Sequence, residues 1–288
     1  MDSILTTNST QLGIDVGGSS VKAAGIVDGR VTWRGQSGRY ADPTPASLAR
    51  AVAEAIGERA PDPAAVGLCV PGILTPDGSA IELSVNLPKL NGVPLAGVVA
   101  DALGRPTPRL RVLNDSTASA YDLYLGRGLA GRLFLMVLGT GVGVAVMDAA
   151  GPLRVDGDSP GHFGQMDVSI EGHPVVGPDG GAGSLEGYVG AAALAAAYGT
   201  GPDALAGVKP ADPAFRAIVR SIRIAHALYR PQHVVLAGGV GIRLAHAVDE
   251  MKAATNRQLT KIARPGWTLG LGEHDFHAAA GAARAAGL

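Results

Sequence analysis

The chain is expected to fold as an α/β protein of two duplicated lobes with a cleft between them, and three observations carry that expectation. Its 288 residues exceed the usual size of a single compact core, so two domains flanking a small-molecule site are the better starting point. A strand, a glycine turn with a hydroxyl and a second strand occur near the N-terminus and again near mid-chain. Such an echo points to duplicated domains, each presenting a glycine hairpin; two unrelated hairpins are the alternative. Helix and strand patterns then interleave between and after the two hairpins.

The first hairpin covers residues 12–16, 21–27 and 30–33, three short strands joined at Gly17 and Gly18 and at Asp28 and Gly29. Both junctions carry turn chemistry, because Gly-Gly tolerates positive φ and Asp-Gly is the favoured type I′ pair. The echo covers 134–138, then Gly139, Thr140 and Gly141, then 142–147 and a turn closing at Gly151. Between them a helix is read over 45–57, with Leu48, Val52 and Ile56 on one face, followed by strands over 66–70 and 110–113. Asn114 and Asp115 come immediately after, and a helix reading over 116–125 puts this pair at a strand end and a helix start, facing a cleft. The second half reads as a helix from Leu185, a longer one over 214–229, a strand over 233–236 and a helix after Gly241. An alanine-rich helix over 277–286 ends the chain. The small lobe is placed at 1–114 plus 277–288 and the large lobe at 115–276.

Composition narrows the partners. Lys+Arg 24 against Asp+Glu 25 leaves a formal net charge of -1, so nothing electrostatic favours a nucleic acid or a membrane, and phosphate binding has to be local. Cys69, the single cysteine, lies in an apolar run and reads as a buried, inert thiol, which leaves no intrachain disulfide. Residues 1–10 are polar, and no stretch offers the ~20 apolar residues of a membrane span, so a cytoplasmic location is expected.

Phosphate needs backbone N–H donors that can approach closely, and glycine turns expose them without a Cβ in the way. Gly17, Gly18 and Ser19 qualify, as do Gly139, Thr140 and Gly141. Neither turn is a Walker loop, since G-x-x-x-x-G-K-[ST] is absent, and neither opens a helix as a dinucleotide fingerprint must. A third turn at Gly238 and Gly239 follows a valine-rich strand and suits a nucleotide packed on bare backbone; an ordinary strand-to-helix turn is the alternative. Asp115 has two readings. It is a helix N-cap, worth ~1 kcal/mol, or the carboxylate that accepts a hydroxyl proton during phosphoryl transfer. His173, His226, His233 and His274 are read as ordinary surface or core residues.

Taken in order, these motifs resemble the ROK family (repressors, open reading frames and sugar kinases) of the actin-like ATPase (ribonuclease H-like) fold. The resemblance runs through residues 12–29, then Val70, Pro71 and Gly72, then Asn86, Leu87 and Pro88, then 92–95 and Asn114 with Asp115. It continues through 138–143, 161–165, Leu185 and Glu186, 236–240 and 281–283. It implies a glucokinase-like, two-domain kinase with ATP and Mg²⁺ in the cleft, the last helix returning to the first domain, and a homodimer. Asp115 would be the catalytic base. Asn86 and Asn114 would hold sugar hydroxyls, and Glu186 would reach the anomeric side. Asp15 would sit near the metal and phosphates in the first hairpin with Gly17, Gly18, Ser19 and Lys22. Gly139, Thr140, Gly141, Gly238 and Gly239 would complete the ATP site.

Two departures bear on chemistry. Where the family reads G-E-x-G-H, this chain has His162 for the sugar-binding glutamate and Gln165 for a zinc-binding histidine. Both are carried forward as substrate-binding positions. The family's zinc loop, C-x-C-G-x-x-G-C-x-E, aligns without gaps on residues 177–186, with Gly177, Asp179 and Ser184 at its cysteine positions. Zinc wants Cys or His in tetrahedral array, so no structural zinc is expected, and the loop keeps its path by other packing. Exchanging Glu for His swaps a fixed acceptor for a group that is donor, acceptor or cation near neutral pH. An amino sugar such as kanosamine or a C7-cyclitol, as in natural-product pathways, thereby joins plain glucose as a substrate. The expected reaction is phosphorylation of a primary hydroxyl equivalent to O6 of a hexose. Two rivals stand beside it. A ROK repressor needs a winged helix ahead of a strand that begins at Leu12, and a non-catalytic sugar sensor has to explain the retained Asp115 and hairpins.

Overall fold

In the computed structural model the chain is described over residues 10–60, 62–107, 109–155 and 159–288. Residues 1–9, on which most of the cytoplasmic expectation rests, lie outside the described residues. No described helix is long and apolar enough to cross a membrane. Two compact units divide the chain, one holding residues 1–128 and 276–288 and the other 129–275.

The first unit opens with β1 (Gln11–Val16), β2 (Val21–Val27) and β3 (Arg30–Gln36), an antiparallel meander. Asp28 and Gly29 have φ of 50° and 73°, the paired positive values a type I′ turn requires. The β1–β2 junction differs from expectation, because neither Gly17 nor Gly18 has positive φ. It is instead a four-residue turn closed by Gly17 N–H donating to the Ser20 carbonyl at 3.0 Å. Helix α1 (Pro45–Ile56) starts where Thr44 caps Ser47 N and Pro45 presets φ, and it buries Leu48, Val52 and Ile56. Strand β4 (Ala65–Val70) is buried along its whole length, as a strand covered on both faces must be. A small ribbon of β5 (Ile73–Leu74) and β6 (Ile81–Leu83) leads to α2 (Leu95–Leu103) and β7 (Arg109–Asn114), and α3 (Asp115–Gly126) follows without a loop. The sheet order is β3-β2-β1-β4-β7, with β4 parallel to both β1 and β7.

The second unit repeats this plan. Strands β8 (Leu133–Leu138), β9 (Val142–Asp148) and β10 (Gly151–Pro152) form the meander. Helices α4 (Leu185–Val189), α5 (Ala191–Tyr198) and α6 (Pro213–Tyr229) precede β11 (His233–Ala237). A single turn α7 (Gly238–Gly241), then α8 (Val248–Asn256) and β12 (Thr268–Leu271), complete it. The order β10-β9-β8-β11-β12, with β11 parallel to β8 and β12, matches the first sheet strand for strand. Phe134 anchors the core, edge-on to Phe163 at 5.2 Å and stacked on Tyr229 at 5.9 Å.

The last helix, α9 (His277–Ala286), belongs to the first unit. Bare backbone lets it lie on the sheet. A Cβ at Gly13 or Gly67 would stand 1.8 or 1.9 Å from the Ala279 or Ala282 carbonyl oxygen, and one at Gly281 would stand 1.7 Å from that of Ala118 in α3. A buried charge cluster fixes the α3 contact. Asp122 accepts from His277 Nδ1 at 2.7 Å and from Arg284 Nε at 2.8 Å, and Arg284 also donates to the Gly29 carbonyl at 2.7 Å. Burial alone would raise the Asp122 pKa, but these two hydrogen bonds more than offset it and hold the carboxyl below its usual range. Because α3 packs on α9, the compact unit keeps residues 115–128, whereas the boundary read from sequence falls at 114/115.

Candidate active site

Parallel pairing aligns the carboxyl ends of three strands in the first unit, with Asp15 opposite Cys69 and Cys69 opposite Leu113. Ligand sites of α/β sheets form beyond such ends. Asp15 accepts from the Cys69 thiol at 3.5 Å. Burial first, then the charges of Asp15 and Asp115, push the thiol pKa well above its ordinary value. Cys69 is therefore inert, and its field marks both carboxylates as near neighbours.

Of the two sequence readings of Asp115, the cap falls to its neighbour. Asn114 is the N-cap of α3, its Oδ1 accepting from Ser116 N at 3.0 Å and from Ser116 Oγ at 2.6 Å. Asp115 occupies the first helical position, with Oδ1 accepting from Ser116 N at 2.7 Å. Desolvation raises its pKa, and the Ser116 N–H only partly opposes this. Capping also consumes the acceptor of Asn114. Its Nδ2, donating to the Gly72 carbonyl at a long 3.4 Å, is the part left to meet another molecule.

The first glycine turn is clamped from behind by Tyr40, whose hydroxyl donates to the Gly17 carbonyl at 2.6 Å and whose N–H donates to Ser19 O at 2.9 Å. Burial, then Asp15, push the Tyr40 phenol far up, so it stays a donor. Asn86 lies against this turn, its Cβ 3.6 Å from where a Gly18 Cβ would be. Lys22 faces Asp15 across the β1–β2 ladder and places its ammonium 5.7 Å from the Phe276 ring centre.

In the second unit, Glu186 braces the other glycine turn. Its Oε2 accepts from Val142 N at 2.9 Å, and a Cβ on Gly141 would stand 2.7 Å from that oxygen. Gly238 has φ +79°, and its Cβ would collide with the Leu138 carbonyl at 2.4 Å, so this glycine is obligatory for folding. Gly139 and Gly239 differ: neither has positive φ, and a Cβ on either meets nothing within 4 Å. Their lack of a side chain answers no steric demand of the fold and leaves open room over the backbone, while the Gly139 N–H itself donates to the Gly141 carbonyl at 3.0 Å. Thr140, between Gly139 and Gly141 in the chain, is exposed.

His162 is exposed at the head of the short turn Phe163–Gln165. The four positions that would carry zinc ligands do converge, but on hydrogen bonds. Gln165 Nε2 donates to Asp179 Oδ2 at 2.6 Å, Gly177 N donates to the Gly181 carbonyl at 2.9 Å, and a Gly177 Cβ would stand 2.1 Å from Ser184 Oγ. Gln165 is thus tied to Asp179 by its amide donor. Sequence reasoning missed the Tyr40 clamp, the Ser116 donor shared by Asn114 and Asp115, and the Asp122 cluster. All three are contacts between distant segments or neighbouring rotamers that no spacing announces.

Repeated sheets of this topology, each with a glycine hairpin after its first strand, define an actin-like ATPase fold. The model of the ROK family matches residues 11–286, and the chain belongs to that family. Among solved structures it is similar to a ROK family glucokinase from Streptomyces griseus in complex with glucose and AMPPNP. That match has 22% identity and a TM-score of 0.73 over 96% of this chain and 99% of that one. ROK hexokinase from Thermus thermophilus matches with 24% identity and a TM-score of 0.71, over 96% and 97% of the two chains. Among curated proteins, N-acetylmannosamine kinase from Vibrio cholerae is 27% identical over 165 residues, 56% of this chain. The match spans 55% of that relative, so the chain covers about half the length of the curated relatives it matches.

Proposed function

We propose that this protein is a kinase that moves the γ-phosphoryl group of ATP to a primary hydroxyl, equivalent to O6 of a hexose, on a sugar or modified sugar. The observation that carries the reading is the pair of carboxylates, Asp15 and Asp115, beside Cys69, with Asp115 at the first position of α3 and its pKa raised by burial. A base must be ionised yet willing to take a proton, and a raised carboxylate meets both needs better than an ordinary one. Asp115 accepts the hydroxyl proton as the sugar oxygen bonds to the γ-phosphorus and the bond to the β-phosphate oxygen breaks, releasing ADP. Asn86, Asn114, His162, Gln165 and Glu186 hold the sugar.

Gly17, Gly18, Ser19 and Lys22 of the first unit, and Gly139, Thr140 and Gly141 of the second, serve the phosphates, with Gly238 and Gly239 under the nucleotide. Mg²⁺ carried with ATP supplies charge neutralisation, and Asp15 offers the hard oxygen that such an ion prefers. The glucose and AMPPNP complex of the Streptomyces relative supports both substrate classes.

The acceptor is an amino sugar or a close analogue such as a cyclitol, with natural-product biosynthesis as its setting. N-acetylmannosamine kinase among the relatives supports a nitrogen-bearing sugar, while the glucokinase supports plain glucose as the second reading. The active form is a homodimer. ATP consumption measured across hexoses, amino sugars, N-acylated amino sugars and cyclitols tests the reading. Turnover with one class names the acceptor, and binding of sugars without any ATP consumption would transfer the protein to the sensor class.

A further inference from the structure

Helix α6 carries Arg216, Arg220 and Arg223, three arginines along one side of its surface. Arg216 and Arg220, a helical turn apart, line an open cavity of about 140 Å³ together with Phe215, Val219 and Gln258, the last just beyond α8; Arg216 and Gln258 are exposed. Arg223 lines the neighbouring cavity, of about 80 Å³.

The two guanidinium groups are not equivalent. Arg220 donates through Nη1 to the Ser169 carbonyl, which anchors it. Asp167, two residues from Ser169, is satisfied mainly by the Ser169 hydroxyl and N–H and only secondarily by Arg220. Arg216 has no side-chain hydrogen bond or ion pair among the described residues, and neither does the Gln258 amide.

Like charges at this spacing repel on a helix, and Asp167 offsets this only from the Arg220 side, so an anion reaching Arg216 would relieve the remainder. Planar guanidinium forks match the oxygens of a tetrahedral dianion, the Gln258 amide adds a donor, and the cavity is far larger than one water requires. Two forks on one cavity, with Arg223 and Arg257 close in sequence, favour a dianion over a single carboxylate.

We propose that Arg216, Arg220 and Gln258 form an anion site that binds the phosphate group of a phosphorylated small molecule. None of these residues takes part in the kinase chemistry proposed above, and the inference stands whether or not that chemistry is right.

The test is side-chain NMR of the arginine Nε–H groups in the full-length chain, titrated with inorganic phosphate, with glucose 6-phosphate, and with sodium chloride as an ionic-strength control. Saturable shifts of Arg216 and Arg220 with either phosphate compound, and not with chloride, are expected. Equal affinity for both compounds would assign recognition to the phosphate alone, and tighter binding of the ester would assign it to a phosphorylated metabolite. R216Q and R220Q should each weaken binding about tenfold or more. The double lysine variant, which keeps charge but loses the fork, should fall between. Shifts that merely track ionic strength, or an Arg220 Nε–H resonance that saturates with unchanged affinity in R216Q, would overturn the site. Phosphate should also raise Tm more for the native chain than for the double glutamine variant.

Discussion

Asp115 concentrates the functional question at the scale of one residue. Asparagine there keeps the acceptor for Ser116 N and removes only the titrating oxygen. Asp115→Asn is expected to lower turnover at least about a hundredfold with ATP affinity nearly unchanged, read by steady-state kinetics and calorimetry. The pH dependence follows from the direction of the shift. A carboxyl with a raised folded pKa binds its proton more readily folded than unfolded, so stability declines as pH rises through the acid range and stays reduced at neutrality. The same variant should therefore melt higher than the native chain at pH 7, and a lower Tm would contradict the assigned strain. His226 is the complementary case. It is 1% exposed, meets the Trp267 ring at 4.6 Å, has no hydrogen-bond partner for either ring nitrogen among the described residues, and burial lowers its pKa to about 4. Between the unfolded value near 6.5 and about 4 the unfolded chain takes up a proton that the folded one refuses. Stability is full above that window and falls by up to about 3 kcal/mol as pH drops through it. His226→Leu should flatten that part of the stability profile, measured by denaturant melts at stepped pH.

At the scale of elements, close packing of α9 is the most exposed to challenge. An alanine at 281 places a methyl 1.7 Å from backbone in α3, which cannot rotate away as a side chain can. Gly281→Ala is expected to cost about 3 kcal/mol or more, at the upper end of overpacking penalties. An unchanged melting curve would show that α3 and α9 are less tightly joined than described. Hydrogen bonds hold the 165–184 loop, so Gln165→Ala should cost only about 1 kcal/mol in chemical denaturation. Element positions were largely legible in the sequence, because 134–138 is a short unbroken apolar run of the kind a strand covered on both faces shows, whereas in 45–57 Leu48, Val52 and Ile56 recur every fourth residue. The β1–β2 turn was not. Glycine pairs permit positive φ without requiring it, and here Tyr40, arriving from beyond β3, sets the path of the turn.

For the molecule as a whole, two expectations concern what holds each unit. Zinc has no cysteine or histidine at its four aligned positions, so elemental analysis of chelator-washed protein should find none in stoichiometric amount and Tm should ignore the chelator. The first unit is discontinuous in sequence, and removal of residues 276–288 should unfold it, since β1, β4 and α3 all pack on the lost helix. The sequence by itself determined the duplicated α/β plan, the order of the motifs and the residue types at the candidate site, because strand period, turn chemistry and local motif spacing are properties of neighbours along the chain. Tertiary structure decided that Asn114 rather than Asp115 caps the helix, that burial raises the Asp115 pKa, and that Gln165 meets Asp179. Desolvation and contacts between distant segments arise only when the chain closes on itself, and no window of adjacent residues contains them.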